Sequence, residues 1–201
     1  MAKRVGLASM ARKIGVKQAL KCDSGMAAVE FALILPMLVF LFFGMLQTSE
    51  SLTVNRRVSK AANTLSDLTA QLDTISPTQF DNLVTGVLEI MNPSSLTGVT
   101  IKVISVVPDP STGAPIVHWS RDKDGNTPYA AGTDYLDLDD AVVLDVSGSV
   151  IVAEIYYPHT LSVANYIFQG PLAFEERSVR WPRSAGITRI QFCTSPGSCT
   201  T

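Results

Sequence analysis

Gly25-Met26-Ala27-Ala28-Val29-Glu30-Phe31-Ala32-Leu33-Ile34-Leu35-Pro36 opens an apolar run that lasts to Leu46 and holds one ionisable side chain, Glu30. At ~1.5 Å per residue, a helix over the 21 residues from Met26 to Leu46 just spans a ~30 Å hydrocarbon core. A carboxylate inside such a span costs about 2.5 to 3.5 kcal/mol on insertion scales, so Glu30 is a functional candidate by default. No later stretch has a comparable uncharged run, which predicts one crossing. Lys3, Arg4, Arg12, Lys13, Lys17 and Lys21 precede the span, and only Arg56, Arg57 and Lys60 follow it closely. The positive-inside bias therefore keeps residues 1–25 cytoplasmic and exports the remainder. Pro36 removes the bond to the Ala32 carbonyl and predicts a kink, tolerable where neighbours re-satisfy the freed group.

Two plainer readings compete. A secretory signal peptide would have a shorter apolar region and an Ala-x-Ala site, whereas this run passes into Gly44-Met45-Leu46-Gln47-Thr48-Ser49. An uncleaved signal anchor displaying a binding or adhesive domain stays open as the alternative. The combination of basic leader, Gly25, a Glu five positions on and a long apolar helix resembles the class III signal of type IV pilin precursors. The wording from Gly25 to Pro36 is similar to TadE/TadG-like minor pseudopilins of Flp (tight adherence) pilus systems. Later stretches carry a looser likeness: Ser149-Val150-Ile151-Val152-Ala153-Glu154-Ile155-Tyr156-Tyr157-Pro158-His159 and Arg180-Trp181-Pro182-Arg183 are similar to the late strand and closing segment of such proteins.

The resemblance implies an inner-membrane, single-pass precursor cut between Gly25 and Met26 by a prepilin peptidase. It implies assembly through Met26, Glu30 and Phe31 with other pilins and pseudopilins, at an inner-membrane assembly platform or in the fibre itself. It also implies a pilin-like α+β fold, in which one long N-terminal transmembrane helix continues into a periplasmic domain with an antiparallel sheet.

Charge separates the two sides of the expected cut. Residues 1–25 hold six bases and one acid; residues 26–201 hold ten bases against seventeen acids, a side-chain balance of −7. Nucleic-acid binding loses its electrostatic basis on that count, because counterion release needs a basic face. Arg177, Arg180, Arg183 and Arg189 form a local basic cluster interleaved with Glu175 and Glu176, which reads as a solvated or ion-paired surface. Cys22 falls in the leader. Cys193 and Cys199, in a Ser/Pro/Gly/Thr-rich tail, suit a small disulfide loop in an oxidising compartment, worth about 2 to 3 kcal/mol in chain-entropy terms. A zinc site would need two more ligands, and His118 and His159 have no metal-ligand spacing to the pair.

After the span, Val54, Val58, Ala61, Leu65, Leu68, Leu72 and Ile75 recur at alternating intervals of four and three. This periodicity predicts an amphipathic helical spine over 47–75 whose apolar stripe packs on the chain's own domain rather than in a coiled coil. Ser76-Pro77-Thr78-Gln79 restarts a helix with a cap acceptor, Pro at the first helical position and Gln at the third, and Asn92-Pro93 stops it. Val99–Val107, Ile116–Ser120, Val150–Tyr157 and, more weakly, Phe174–Trp181 are β-branched or aromatic runs between Pro/Gly/Asp turns, which predicts an antiparallel sheet. Pro182 puts the last of these near a sheet edge. Residues 135–146 fit a short helix or another strand. The expected organisation is a leader at 1–25, a transmembrane helix at 26–46, the spine at 47–75, a periplasmic domain at 76–192 and a disulfide-looped tail at 193–201.

Catalytic and metal chemistry find little purchase. Asp122-Lys123-Asp124-Gly125-Asn126 alternates oxygen side chains, but a calcium loop of the EF-hand type needs Gly at its sixth position and Glu at its twelfth; a hairpin turn is the better reading. Asp134, Asp137, Asp139 and Asp140 read first as exposed charge, with a weak cation site shared with the first cluster as the alternative. Ser147-Gly148-Ser149 has no nucleophile-elbow frame, and neither His lies in a recognisable catalytic setting: His118 sits in a strand beside Trp119, and His159 follows Pro158 at a strand end. The expectation is a structural protein with no cofactor, not an enzyme.

Overall fold

The computed structural model describes residues 23–92, 94–138, 148–160, 171–183, 189–195 and 197–200. The leader up to Cys22, with its cysteine, lies outside the described residues, as do Asp139, Asp140 and most of the ambiguous stretch 135–146. The chain divides into two units, one ending at Leu46 and the other comprising Gln47–Thr201.

Helix α1, Asp23–Ala70, is a single element 48 residues long that runs through Pro36. Every described side chain from Met26 to Leu46 is exposed in the isolated chain. A stretch apolar on all sides and of this length is one that hydrocarbon or other helices can cover.

From Gln47 onward the same helix belongs to the second unit and acquires a buried face. Val54, Val58, Ala61, Ala62, Leu65, Ser66, Thr69 and Ala70 are buried. Two expectations fail here. Leu68 is 39% exposed, and Ile75 is buried in a strand rather than on the helix. At about 100° per residue, Leu68 falls to one side of Val54 while Ala62, Ser66 and Thr69 fall to the other. The four-three pattern thus traced one border of a face whose centre is made of small residues. The helix ends at Ala70, five residues before the expected limit, and the Arg183 N–H donates to the Ala70 carbonyl at 2.7 Å, which satisfies one orphaned helix-end acceptor.

Strand β1, Thr74–Ile75, is followed by helix α2, Pro77–Met91. Its N-terminus is the predicted capping box: Ser76 Oγ accepts from the Gln79 N–H at 3.3 Å and Gln79 Oε1 accepts from the Ser76 N–H at 2.9 Å. Phe80, Val84, Val87 and Met91 bury one face. A turn at Gly98, with φ +77°, leads into the sheet; a Cβ there would stand 3.0 Å from Pro158 Cγ, so only glycine fits without a shift.

Strands β2 (Thr100–Pro108), β3 (Pro115–Asp122), β4 (Val150–His159) and β5 (Leu172–Arg180) form a sheet in the order β3-β2-β4-β5, and every pairing is antiparallel. The expected four strands are present, each with ends shifted by a residue or two, and β5 is an edge. Ile101, Val103, Ile151, Ala153 and Ile155 face α1 and α2 in the main core. Ile104, Val106, Val150 and Val152 face the other way, beneath Val117 and Tyr135 with Tyr129 and Leu138 beside them. Burial on both faces explains why β2 and β4 read as nearly unbroken apolar runs instead of alternating ones.

The C-terminal stretch adds a sheet that the sequence did not predict. Strands β6 (Gln191–Ser195) and β7 (Ser198–Cys199) make a second small sheet in which β6 pairs with β1 in parallel. Cys193 and Cys199 are joined, as the sequence led us to expect. The stretch just before the tail belongs to the core: Ile190 and Phe192 are buried, the Trp119 Nε1–H donates to the Ile190 carbonyl at 2.8 Å, and the Trp119 and Phe192 rings lie 5.5 Å apart, while the described residues from Cys193 on are exposed or half-buried.

Candidate functional site

The residues singled out at the head of the chain lie on α1. Met26 and Glu30 stand four residues apart, hence one turn apart on one side of the helix, while Phe31 points about 100° away. Met26 and Phe31 are 61% and 59% exposed, and Glu30 is exposed as well. The exposed apolar stretch Met26–Leu46 thus carries a single carboxylate, Glu30, near its start.

A second charged constellation, not anticipated from sequence, lies on the sheet. The register pairs Lys102 with Glu154 and Glu154 with Arg177, so base, acid and base stand in one row across β2, β4 and β5. Glu154 is 7% exposed. Its Oε2 lies 3.4 Å from Lys102 Nζ and accepts from the Tyr129 hydroxyl at 3.1 Å. Its Oε1 accepts from the Tyr135 hydroxyl at 2.5 Å and lies 3.5 Å from Arg177 Nε. Both tyrosines come from the segment after β3, so one carboxylate pins that segment onto the sheet. The only sequence signal was an acid inside Val-Ile-Val-Ala-Glu-Ile; that its neighbours are Lys102 and Arg177 depends on strand register.

Two members of the basic cluster are ion-paired, with acids other than Glu175 and Glu176. Arg177 meets Glu154 and Asp137, Arg183 meets Asp67 at 2.8 Å, and Arg180 donates to Asn63 Oδ1 at 2.9 Å. Asn63 and Asp67 are on α1, so β5 and the stretch after it are tied to the spine, with a buried Ser66 to Ser178 hydroxyl contact of 2.8 Å between them. Arg189 stands apart and is taken up below.

Burial, reinforced by the Glu154 hydrogen bond and the nearby negative charge, holds the Tyr135 phenol far above its ordinary range. The unfolded phenol ionises near pH 10 while the folded one stays protonated. Stability from this group is therefore complete below about pH 10 and is lost as pH rises beyond it. Tyr135→Phe is expected to flatten the alkaline fall in stability between about pH 9 and 11, measured by denaturant unfolding at each pH. An unchanged alkaline slope would assign the fall to other groups.

The two histidines are far apart in role. His118 is buried in β3 with Nδ1 3.5 Å from Ser105 Oγ. His159 ends β4, stacked near Tyr157 and Phe174, with Nε2 3.9 Å from Glu50 Oε1, an ion pair when the ring is protonated and too long for a hydrogen bond. Asp122 turns its carboxylate onto its own loop, accepting from the Asp124 and Asn126 N–H groups at 3.0 and 2.7 Å and from Asn126 Nδ2 at 3.0 Å. Burial works upward on its pKa, but these donors outweigh it and leave it lowered. Among the described residues no group of three or more His, Cys, Asp or Glu converges as metal ligands would.

The fold and the exposed helix define an α+β protein with one helix long and apolar enough to cross a membrane, consistent with a single-pass membrane protein. Residues 25–65 match the family described as TadE-like protein, which supports the resemblance read from Gly25 to Pro36 and points to a component associated with Tad pili. The matched segment covers most of α1 and stops before the sheet, so the looser likeness at Ser149–His159 and Arg180–Arg183 lies outside it. TadE-like proteins are structural pilus components rather than an enzyme family. No curated protein and no solved structure matches the chain.

Proposed function

We propose that the chain is a minor pseudopilin of an Flp-type pilus system, inserted with its N-terminus in the cytoplasm and its sheet-bearing domain in the periplasm. In this reading a prepilin peptidase hydrolyses the Gly25–Met26 peptide bond. The mature subunit then packs through α1 against the helices of other pilins and pseudopilins at the inner-membrane assembly platform.

The observation that carries the reading is the fully exposed apolar stretch Met26–Leu46 with Glu30 one turn from Met26, inside the matched segment. Cleavage would create an α-amine at Met26, a second costly charge in the same medium as Glu30. Between neighbouring subunits, amine and carboxylate convert two lone charges into a pair, which sets the register of helix on helix. The protein supplies a substrate and a building block; the hydrolytic chemistry belongs to the peptidase.

N-terminal mapping of the membrane-purified protein is expected to begin at Met26. A start near Ser49 or Thr53 would identify an ordinary signal peptide, and an intact leader would identify an anchored display domain instead.

A further inference from the structure

A cavity of about 470 Å³ opens where the β2–β3 turn, the segment around Gly132 and the residues just before β6 meet. Val107, Pro108, Pro110 and Ile116 give it apolar walls, and Arg189 and His118 supply its basic groups. This end of the sheet is opposite the one at which His159 approaches Glu50.

Arg189 is the unusual member. The other three arginines of its sequence cluster each have a partner, whereas Arg189 has no acidic partner among the described residues, and its buried Nε has no hydrogen-bond partner. A guanidinium is always charged and presents a planar fork of donors, so leaving one half-buried and unpaired is destabilising unless something completes it. The one carboxylate on the cavity wall, Asp109, is committed to its own turn: its Oδ1 accepts from the Ser111 N–H and hydroxyl, each at 2.6 Å, and these bonds hold its pKa low.

We propose that this cavity is a binding site for a carboxylate borne on an apolar stem, with Arg189 as the residue that grips it. A planar carboxylate matches the guanidinium fork, and the proline and aliphatic walls accept the stem. The carboxylate comes either from a small organic acid or from an acidic side chain of another protein. The inference stands on the cavity alone and does not depend on the assignment as a pilus subunit.

The test uses the full chain in detergent micelles with three probes: isocaproate, its neutral isostere isocaproamide, and a blocked tripeptide with glutamate between two leucines. At least one carboxylate probe is expected to bind saturably and to move the Arg189 Nε–H resonance, while the amide does neither. Arg189→Gln is expected to weaken that binding at least tenfold, roughly the loss of one charge-assisted pair, and to leave the unliganded protein as stable as wild type or more so. Preference for isocaproate or for the tripeptide identifies the source of the carboxylate. Failure of both carboxylate probes to bind wild type overturns the proposal. So does equal binding by Arg189→Gln, or a lower unfolding temperature for that variant, which would make the guanidinium a structural element.

Discussion

Glu30→Ala, compared with wild type at equal membrane levels, is expected to abolish co-purification with pilus subunits and surface piliation while leaving insertion and leader cleavage intact. Insertion improves, because the substitution removes a charge from the span, and cleavage is retained because Gly25 and Met26 are untouched. Assembly fails because the neighbour's Met26 amine is left in hydrocarbon without its counter-charge. Removing one member of a buried pair costs about 3 to 5 kcal/mol, a hundredfold or more at each contact. Glu30→Gln separates charge from shape, since it keeps the size and loses only the ionisation. Normal piliation by Glu30→Gln would show that the amine needs no carboxylate, and the pairing that underlies the proposed register would be wrong.

The second large effect belongs to Glu154. Glu154→Ala strips Lys102, Arg177, Tyr129 and Tyr135 of their common acceptor; the Tyr135 hydroxyl loses its partner at a buried point of the sheet, while Lys102 and Arg177 stay partly exposed and Arg177 keeps Asp137. The expected loss is about 2 to 4 kcal/mol, mostly from the buried hydroxyls left without an acceptor, or roughly 10 °C in unfolding temperature for a domain of this size. Lys102→Met is the control. Its side chain is 30% exposed and Arg177 remains to balance the carboxylate, so its effect should stay near 1 kcal/mol or below, roughly the range of surface pairs. An unfolding temperature for Glu154→Ala within a degree or two of wild type would mean that the row is not what holds the Tyr129–Tyr135 segment in place. The consequence would extend to the cavity at Arg189, because Ala131 and Gly132 of that segment form part of its wall.

Both predictions rest on single acids in apolar surroundings, yet they were legible to different degrees. Glu30 is conspicuous because nothing else in its stretch ionises, and its meaning needs only the length of a bilayer. Glu154 is equally anomalous in its strand, but its chemistry required knowing that residue 102 lies on one side and residue 177 on the other. The spine shows the same limit at finer scale. Its periodicity marked a helix correctly, yet Leu68 lies outside the buried face and Ser66 and Thr69 lie within it, because the docked sheet selects small residues at the centre of the contact.

What the sequence by itself determined is everything written in contiguous residues: the apolar run from Met26 to Leu46, long enough to cross a membrane, the carboxylate at Glu30, the capping box at Ser76–Gln79 and the strand-forming runs. Each follows from neighbours a few positions apart, through helical pitch, cap hydrogen bonds or β-branching. Only the tertiary structure decided where α1 stops, that Ile75 and Phe192 pair in parallel strands, that Glu154 joins Lys102 to Arg177, and that Arg189 has no acidic partner among the described residues. These depend on register and packing between segments far apart in the chain, as with Lys102 and Glu154, 52 positions apart. No local propensity encodes them, because a one-residue slip of a strand would turn every one of its side chains to the opposite face.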